Sequence, residues 1–243
     1  MLTCKKMIEK NIFQTWYTTE LPRSIQQRID IWRKMNPDYK YHLYLDADID
    51  AFVHDHFPGP ISEAYDRLNI IVAKTDFWRY LVLYKYGGVY LDMDSCINRP
   101  LDSWIKDADD AIITAEGNPH MFVQWGLVFR SGHPILKRTI DLVVEYVQQN
   151  RYPNDIINMT GPGVFSTAIQ QCCQEKYGRT IPHHLITSQT NDEFETIEGD
   201  KYRIYGIDFN GNMTFKVKEA PDLYTNKAHW SVDRRVRPLL LGP

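Results

Sequence analysis

The sequence predicts an α/β fold: one mostly parallel β-sheet with a mixed edge, flanked by helices. Three observations carry this reading. Short apolar or alternating runs recur between longer stretches whose apolar residues fall every three or four positions. Pro22, Pro134 and Pro162 each open such a longer stretch, where a missing N–H costs little, and Gly87-Gly88 closes another. Finally, 243 residues at 43% hydrophobic suit one globular domain (1–243) with a sizeable core.

The elements follow in order. "NIFQTWYT" (11–18) reads as a buried strand. Pro22 opens a helix through Trp32, with Ile25, Ile29 and Trp32 at helical spacing. "YKYHLYLDAD" alternates Tyr39, Tyr41, Leu43 and Leu45 with polar positions, a strand running into an acidic loop. Asp46, Asp48 and Asp50 imitate the start of a calcium loop, but Ala51 stands where a glycine is needed and Phe57 where a glutamate is needed. Ser62 to Tyr86 carries a long helical pattern with room for one break, stopped by Gly87-Gly88 as a left-handed cap. "GVYLDMD" is the next strand, followed by strands at 111–115 and 125–129. Pro134 then opens a helix with Ile135, Leu136, Ile140, Val143, Val144 and Val147 on one side. Pro162 opens a last helix ending near Gly178, and Asn210-Gly211 between apolar runs suggests a late hairpin.

Charge and composition exclude several roles. A formal net charge of −3 gives no nucleic-acid footprint, and Arg234, Arg235 and Arg237 form only a short basic run. Cys4, Cys96, Cys172 and Cys173 lack zinc-ligand spacing and read as reduced thiols. The start, "MLTCKKMIEKN", has no apolar export segment, and the chain has no 18-residue apolar run. These features lead to the expectation of a cytoplasmic protein.

The chemistry centres on "GGVYLDMDS" (87–95). Asp-x-Asp alone says little, because it recurs at Asp46/Asp48, Asp48/Asp50 and Asp107/Asp109. On a strand, however, Tyr90, Asp92 and Asp94 would share one face, with the two carboxylates roughly 6.5–7 Å apart. They would lie at a strand's carboxyl end, where open α/β sheets bind ligands. Hard oxygen donors suit Mg²⁺ or Mn²⁺, ions that bridge proteins to phosphates. Just upstream, Asp76 and Arg79 stand three apart on a helix among Phe77, Trp78, Tyr80 and Leu81, a setting for either an ion pair or a ligand grip.

"IFQTW…LP…W…NPDY" followed by "AKTDFWRYLVLYKYGGVYLDMD" resembles glycosyltransferase family 32, the DXD sugar-binding family of initiating α-mannosyltransferases, α-1,4-galactosyltransferases and bacterial capsule enzymes. "WGLVFRSGHPIL", "TGPGVF" and a compressed "AHWS" extend the likeness. The resemblance implies a GT-A fold, with a nucleotide-sugar half over about 1–100 and an acceptor half over about 101–243. It implies a UDP- or GDP-sugar donor, a glycan or glycolipid acceptor that would be compatible with peripheral membrane association, a Mn²⁺ (or Mg²⁺) cofactor and retention of anomeric configuration. By position, Asp94 would ligate the metal and Asp92 the ribose or a metal-bound water. Asp76 and Arg79 would grip sugar hydroxyls, Tyr90 would line that pocket, and Trp16 would lie near the base. His229 would be a third metal ligand and Trp230 would cover base or sugar, on a segment that either closes over the diphosphate or is a tail docked permanently by Trp230 in the core. Glu116, Asn118 and Gln124 are the candidates for an oxygen facing the sugar's cationic transition state. Two other readings of the same residues are a haloacid-dehalogenase-type phosphatase with Asp92 as nucleophile, and a non-catalytic nucleotide-sugar-binding module.

Overall fold

The computed structural model describes residues 7–95, 99–107, 109–114, 121–178, 180, 202–205 and 237–242. Strand β1 (Asn11–Trp16) leads through helix α1 (Arg23–Met35) to β2 (Lys40–Leu45). Helices α2 (Asp46–His56), α3 (Pro60–Arg67) and α4 (Ile71–Tyr86) precede β3 (Gly88–Leu91). A 3₁₀ turn (Leu101–Ser103), β4 (Ala111–Thr114) and β5 (Gly126–Phe129) come next. They are followed by α5 (Pro134–Gln149), α6 (Ile156–Met159), α7 (Pro162–Tyr177) and β6 (Tyr202–Tyr205).

The six strands form one sheet in the order β2-β1-β3-β5-β4-β6. The β2–β1, β1–β3 and β4–β6 pairs are parallel, whereas β5 runs antiparallel to both β3 and β4. The sheet is therefore mixed, as expected, but its reversed strand lies in the interior and not at an edge. Of the late hairpin only β6 falls within the described residues; the turn at Asn210-Gly211 lies outside them.

Alternation along the strands separates two cores. Phe13, Tyr90, Leu127 and Phe129 face α4, α5 and α7. Ile12, Val89, Leu91 and Val128 face the other way, against Trp32 and Trp104. Helix α4 has no polar stripe because it has no solvent face along much of its length: every residue from Asp76 to Leu83 is buried. The single break expected between Ser62 and Tyr86 falls at Leu68–Ile70, between α3 and α4.

Gly87 ends α4 with φ 63°, but its ψ of 169° is extended, not left-handed helical. A Cβ here would collide with the Glu9 side chain and the Ser131 backbone nitrogen, so the close crossing of three segments requires glycine. The acidic loop expected after β2 is instead helix α2. Asp48 accepts the Leu45 N–H at 2.9 Å, satisfying a donor at the helix start, and negative charge in a first turn suits the helix dipole.

Helix α5 begins on His133, whose Nδ1 accepts the Ile135 N–H at 3.2 Å. Burial pushes this imidazole down to about 3, with Arg130 and Lys176 adding to the fall. An unfolded histidine titrates near its ordinary 6.5, so this contribution to stability is complete above that pH and is lost progressively as pH falls toward 3. Between pH 7 and pH 5 the protein should lose about 2 kcal/mol from this group alone. Denaturant titrations at the two pH values should show that drop, and His133→Asn, which keeps a capping acceptor, should remove most of it. An unchanged drop in the variant would assign the pH dependence to other groups. Among the described residues no helix is long and apolar enough to cross a membrane, and Cys172 is a free thiol.

Candidate active site

Strand β3 ends at Leu91, three residues earlier than the sequence pattern indicates. Asp92 to Ser95 form a tight turn instead, closed by the Ser95 N–H donating to the Asp92 carbonyl at 2.9 Å. The strand-derived carboxylate spacing therefore does not apply, because Asp94 sits across a turn from Asp92. The sheet holds this turn from two sides. The Asp92 N–H donates to the Trp125 carbonyl at 2.8 Å, and the fully buried Gln14 amide donates to the Leu91 and Asp92 carbonyls at 3.3 and 3.2 Å. Between the aspartates, Met93 is buried against Ile25 and Ile29 of α1. The apolar residue between the two carboxylates anchors their turn to the core.

Asp76 and Arg79 project from α4 beneath this turn, and each is only 5% exposed. Arg79 organises the cluster. Its Nη2 lies 3.1 Å from Asp76 Oδ1 and 3.6 Å from Asp92 Oδ1, and its Nη1 donates to the Gln124 carbonyl at 3.1 Å. The guanidinium stands over the Tyr90 ring at 4.7 Å, and the Tyr90 hydroxyl donates to Asp92 Oδ1 at 2.8 Å. One fixed cation thus faces two carboxylates and an aromatic ring. The alternation that placed Tyr90 with Asp92 survives the early end of the strand.

Burial pushes the Asp76 carboxyl up to about 6, with Arg79 opposing the rise and Asp92 adding to it. Burial also works against the Arg79 charge, yet Tyr90, Asp92 and Asp76 more than offset it, so the guanidinium stays firmly protonated. The Tyr90 hydroxyl lies well above its ordinary value because it is buried. Tyr90 is therefore a neutral donor and not a base.

Trp16, at the end of β1, packs with Leu21, Tyr41 and Leu43 onto Ile25, Ile29 and Met93, beside the aspartate turn. Its indole N–H is buried with no hydrogen-bond partner among the described residues. Gln124, 6% exposed, donates its amide to the Thr160 carbonyl at 3.3 Å. Five of the sequence-derived site residues (Trp16, Asp76, Arg79, Tyr90 and Gln124) thus lie around the turn that bears two more, Asp92 and Asp94. His229, Trp230, Glu116 and Asn118 lie outside the described residues. Thr160 and Gln14 escaped the sequence reading; neither ionises, and no charge pattern marks them.

Asp92 and Asp94 supply hard carboxylate oxygens, and both are partly exposed. Among the described residues no third His, Cys, Asp or Glu joins them. Two carboxylates with no third such ligand beside them among the described residues suit Mg²⁺ or Mn²⁺, ions that take further oxygens from phosphate and water, better than a closed structural site.

Residues 22–110 match the family described as "Glycosyltransferase sugar-binding region containing DXD motif". An initiation-specific alpha-1,6-mannosyltransferase of Candida albicans is 28% identical over 203 residues, covering 68% of this chain and 53% of that protein. Inositol phosphoceramide mannosyltransferase 3 of Schizosaccharomyces pombe is 29% identical over 185 residues, covering 73% and 49%. The chain spans about half the length of these curated relatives. Among solved structures, the PaToxG glycosyltransferase superposes with a TM-score of 0.55 at 23% identity, covering 71% of each chain. The fold is accordingly of the GT-A type.

Proposed function

Because residues 22–110 match the glycosyltransferase sugar-binding region containing the DXD motif, we propose that this protein is a glycosyltransferase moving a hexose from a nucleotide-diphosphate sugar to a glycan or glycolipid acceptor. The names of its relatives favour mannose. The observation that carries the reading is the buried Asp76–Arg79–Asp92 cluster directly under the aspartate turn. A charged pair this deep destabilises a fold unless it is fully bonded, and an apolar pair would serve packing as well. Its position against the ligand-binding end of β3 supports a grip on donor hydroxyls.

In this mechanism Asp76 accepts and Arg79 donates hydrogen bonds to the sugar, and Tyr90 shapes the pocket under it. Trp16 lies against the base; His229 and Trp230, outside the described residues, keep the roles that the family resemblance implies for them, a metal ligand and a cover for base or sugar. Asp94, with Asp92, would hold Mn²⁺ (or Mg²⁺), which supplies positive charge opposite the diphosphate as the anomeric C–O bond breaks. Gln124 is the described candidate for an oxygen near the anomeric carbon. Transfer with retained configuration is read directly from the anomeric coupling of the product by NMR.

Thermal denaturation with Mn²⁺ and a panel of GDP-mannose, UDP-glucose and UDP-galactose tests the donor. A ligand at about 100 times its Kd stabilises by about 2.7 kcal/mol, which should raise the melting temperature by about 5–10 °C. No shift with any nucleotide sugar would overturn the proposal. Asp76→Asn should weaken binding of the cognate nucleotide sugar about tenfold or more while leaving the free nucleoside diphosphate unaffected. Equal losses for both ligands in calorimetric titrations would confine Asp76 to an ion pair with Arg79.

A further inference from the structure

The "TGPGVF" stretch has no chemistry in its sequence to explain it, yet it meets the candidate site. Thr160 is fully buried, and its polar atoms are tied to α4, to α6 and to the segment before β5. Its N–H donates to the Ile156 carbonyl at 2.9 Å, ending α6. Its carbonyl accepts the Tyr80 hydroxyl of α4 at 3.1 Å and the Gln124 amide at 3.3 Å. Its hydroxyl lies 3.2 Å from Asp76 Oδ2 and 3.4 Å from the Ile156 carbonyl. A hydroxyl has one proton, and a carboxylate at the shorter distance is the stronger acceptor. Gly161 lets the chain turn into α7 at this point, because a Cβ there would press on the Ile157 backbone at 3.0–3.1 Å.

Resting on the donor reading above, we propose that Thr160 is the positioning residue for the donor sugar: its hydroxyl fixes the rotation of the Asp76 carboxylate and so sets where that carboxylate meets the sugar. The two carboxylate oxygens have separate holders, Arg79 on Oδ1 and Thr160 on Oδ2, and the Gln124 side chain also favours the charged carboxyl. Without the Thr160 hydroxyl, Oδ2 would lose the 3.2 Å partner that opposes Arg79. The carboxylate would then have more freedom about its Cβ–Cγ bond, a soft torsion, with only Gln124 beside Arg79 to check it. With Thr160 in place, its remaining lone pairs keep one direction, and positioning of that kind determines which hydroxyl geometry binds. Because α4, α6 and the segment before β5 all hold the Thr160 backbone, the hydroxyl cannot drift with the ligand.

Thr160→Val removes the hydroxyl at nearly constant volume, and Thr160→Ser keeps it. With Mn²⁺ present, the cognate nucleotide sugar and its nucleoside diphosphate are titrated calorimetrically into each protein. The valine variant should lose about tenfold in affinity for the nucleotide sugar and nothing for the diphosphate, and the serine variant should bind both as wild type does. Discrimination among the three nucleotide sugars should also narrow in the valine variant. Unchanged sugar affinity in Thr160→Val, or equal losses for both ligands, would overturn the proposal. A wild-type protein that binds none of the nucleotide sugars would instead overturn the donor reading itself. If the valine variant proves unfolded by circular dichroism, Thr160→Cys, which keeps the size with a poorer donor, decides by the same comparison.

Discussion

Asp94→Asn should cut transfer and donor hydrolysis by about 10²–10³ at saturating Mn²⁺, the loss expected when a charge aimed at the transition state is removed. The substitution changes charge and not shape, at a partly exposed turn whose backbone is held by Asp92, Ser95 and Met93. Its melting temperature should stay within about 2 °C of wild type. The exposed Asp107, in a second Asp-x-Asp of the same chain, provides the internal control: Asp107→Asn should leave turnover intact. Near-wild-type turnover in Asp94→Asn would remove Asp94 from the metal site.

The second large effect is structural. Arg79→Met should destabilise the fold by about 3–5 kcal/mol, because it leaves Asp76 buried and Asp92 partly buried without their shared cation. At this chain length that is a fall of about 10 °C in melting temperature. Arg79→Lys should restore only part of it, since one ammonium cannot reach Asp76, Asp92 and the Gln124 carbonyl while stacking on Tyr90. Adding Asp76→Asn to Arg79→Met should recover stability relative to Arg79→Met alone, and additive losses in that cycle would show that the two residues are not coupled.

Much of this protein was legible in its sequence for local reasons. Pro22, Pro134 and Pro162 mark helix starts because the missing N–H is tolerated there. Gly87 marks a chain reversal because only glycine tolerates the crossing with Glu9 and Ser131. The apolar stripe of α5 announces a one-sided burial. Alternation placed Tyr90 with Asp92, whereas Asp76 and Arg79 joined them only through the family resemblance; the short helix–strand unit that carries all four explains why they meet.

What escaped depended on distant partners. Nothing local tells an acidic loop from an acidic helix start; α2 forms because Asp48 caps its own first turn while Phe52 and Val53 find a core in α4 and its neighbours. The reversal of β5 inside the sheet follows from its pairing with both β3 and β4, a choice among strands that no single strand encodes. Thr160 illustrates the same limit within the site. It lies 84 positions from Asp76, and a threonine hydroxyl gains meaning only when α6 and α7 dock against α4. By itself the sequence determined which residue types would carry the chemistry, because ionisable groups and turn-forming residues have local signatures. The tertiary structure alone decided which neutral donors and backbone carbonyls hold those groups in place, because such partners are selected by packing across the chain.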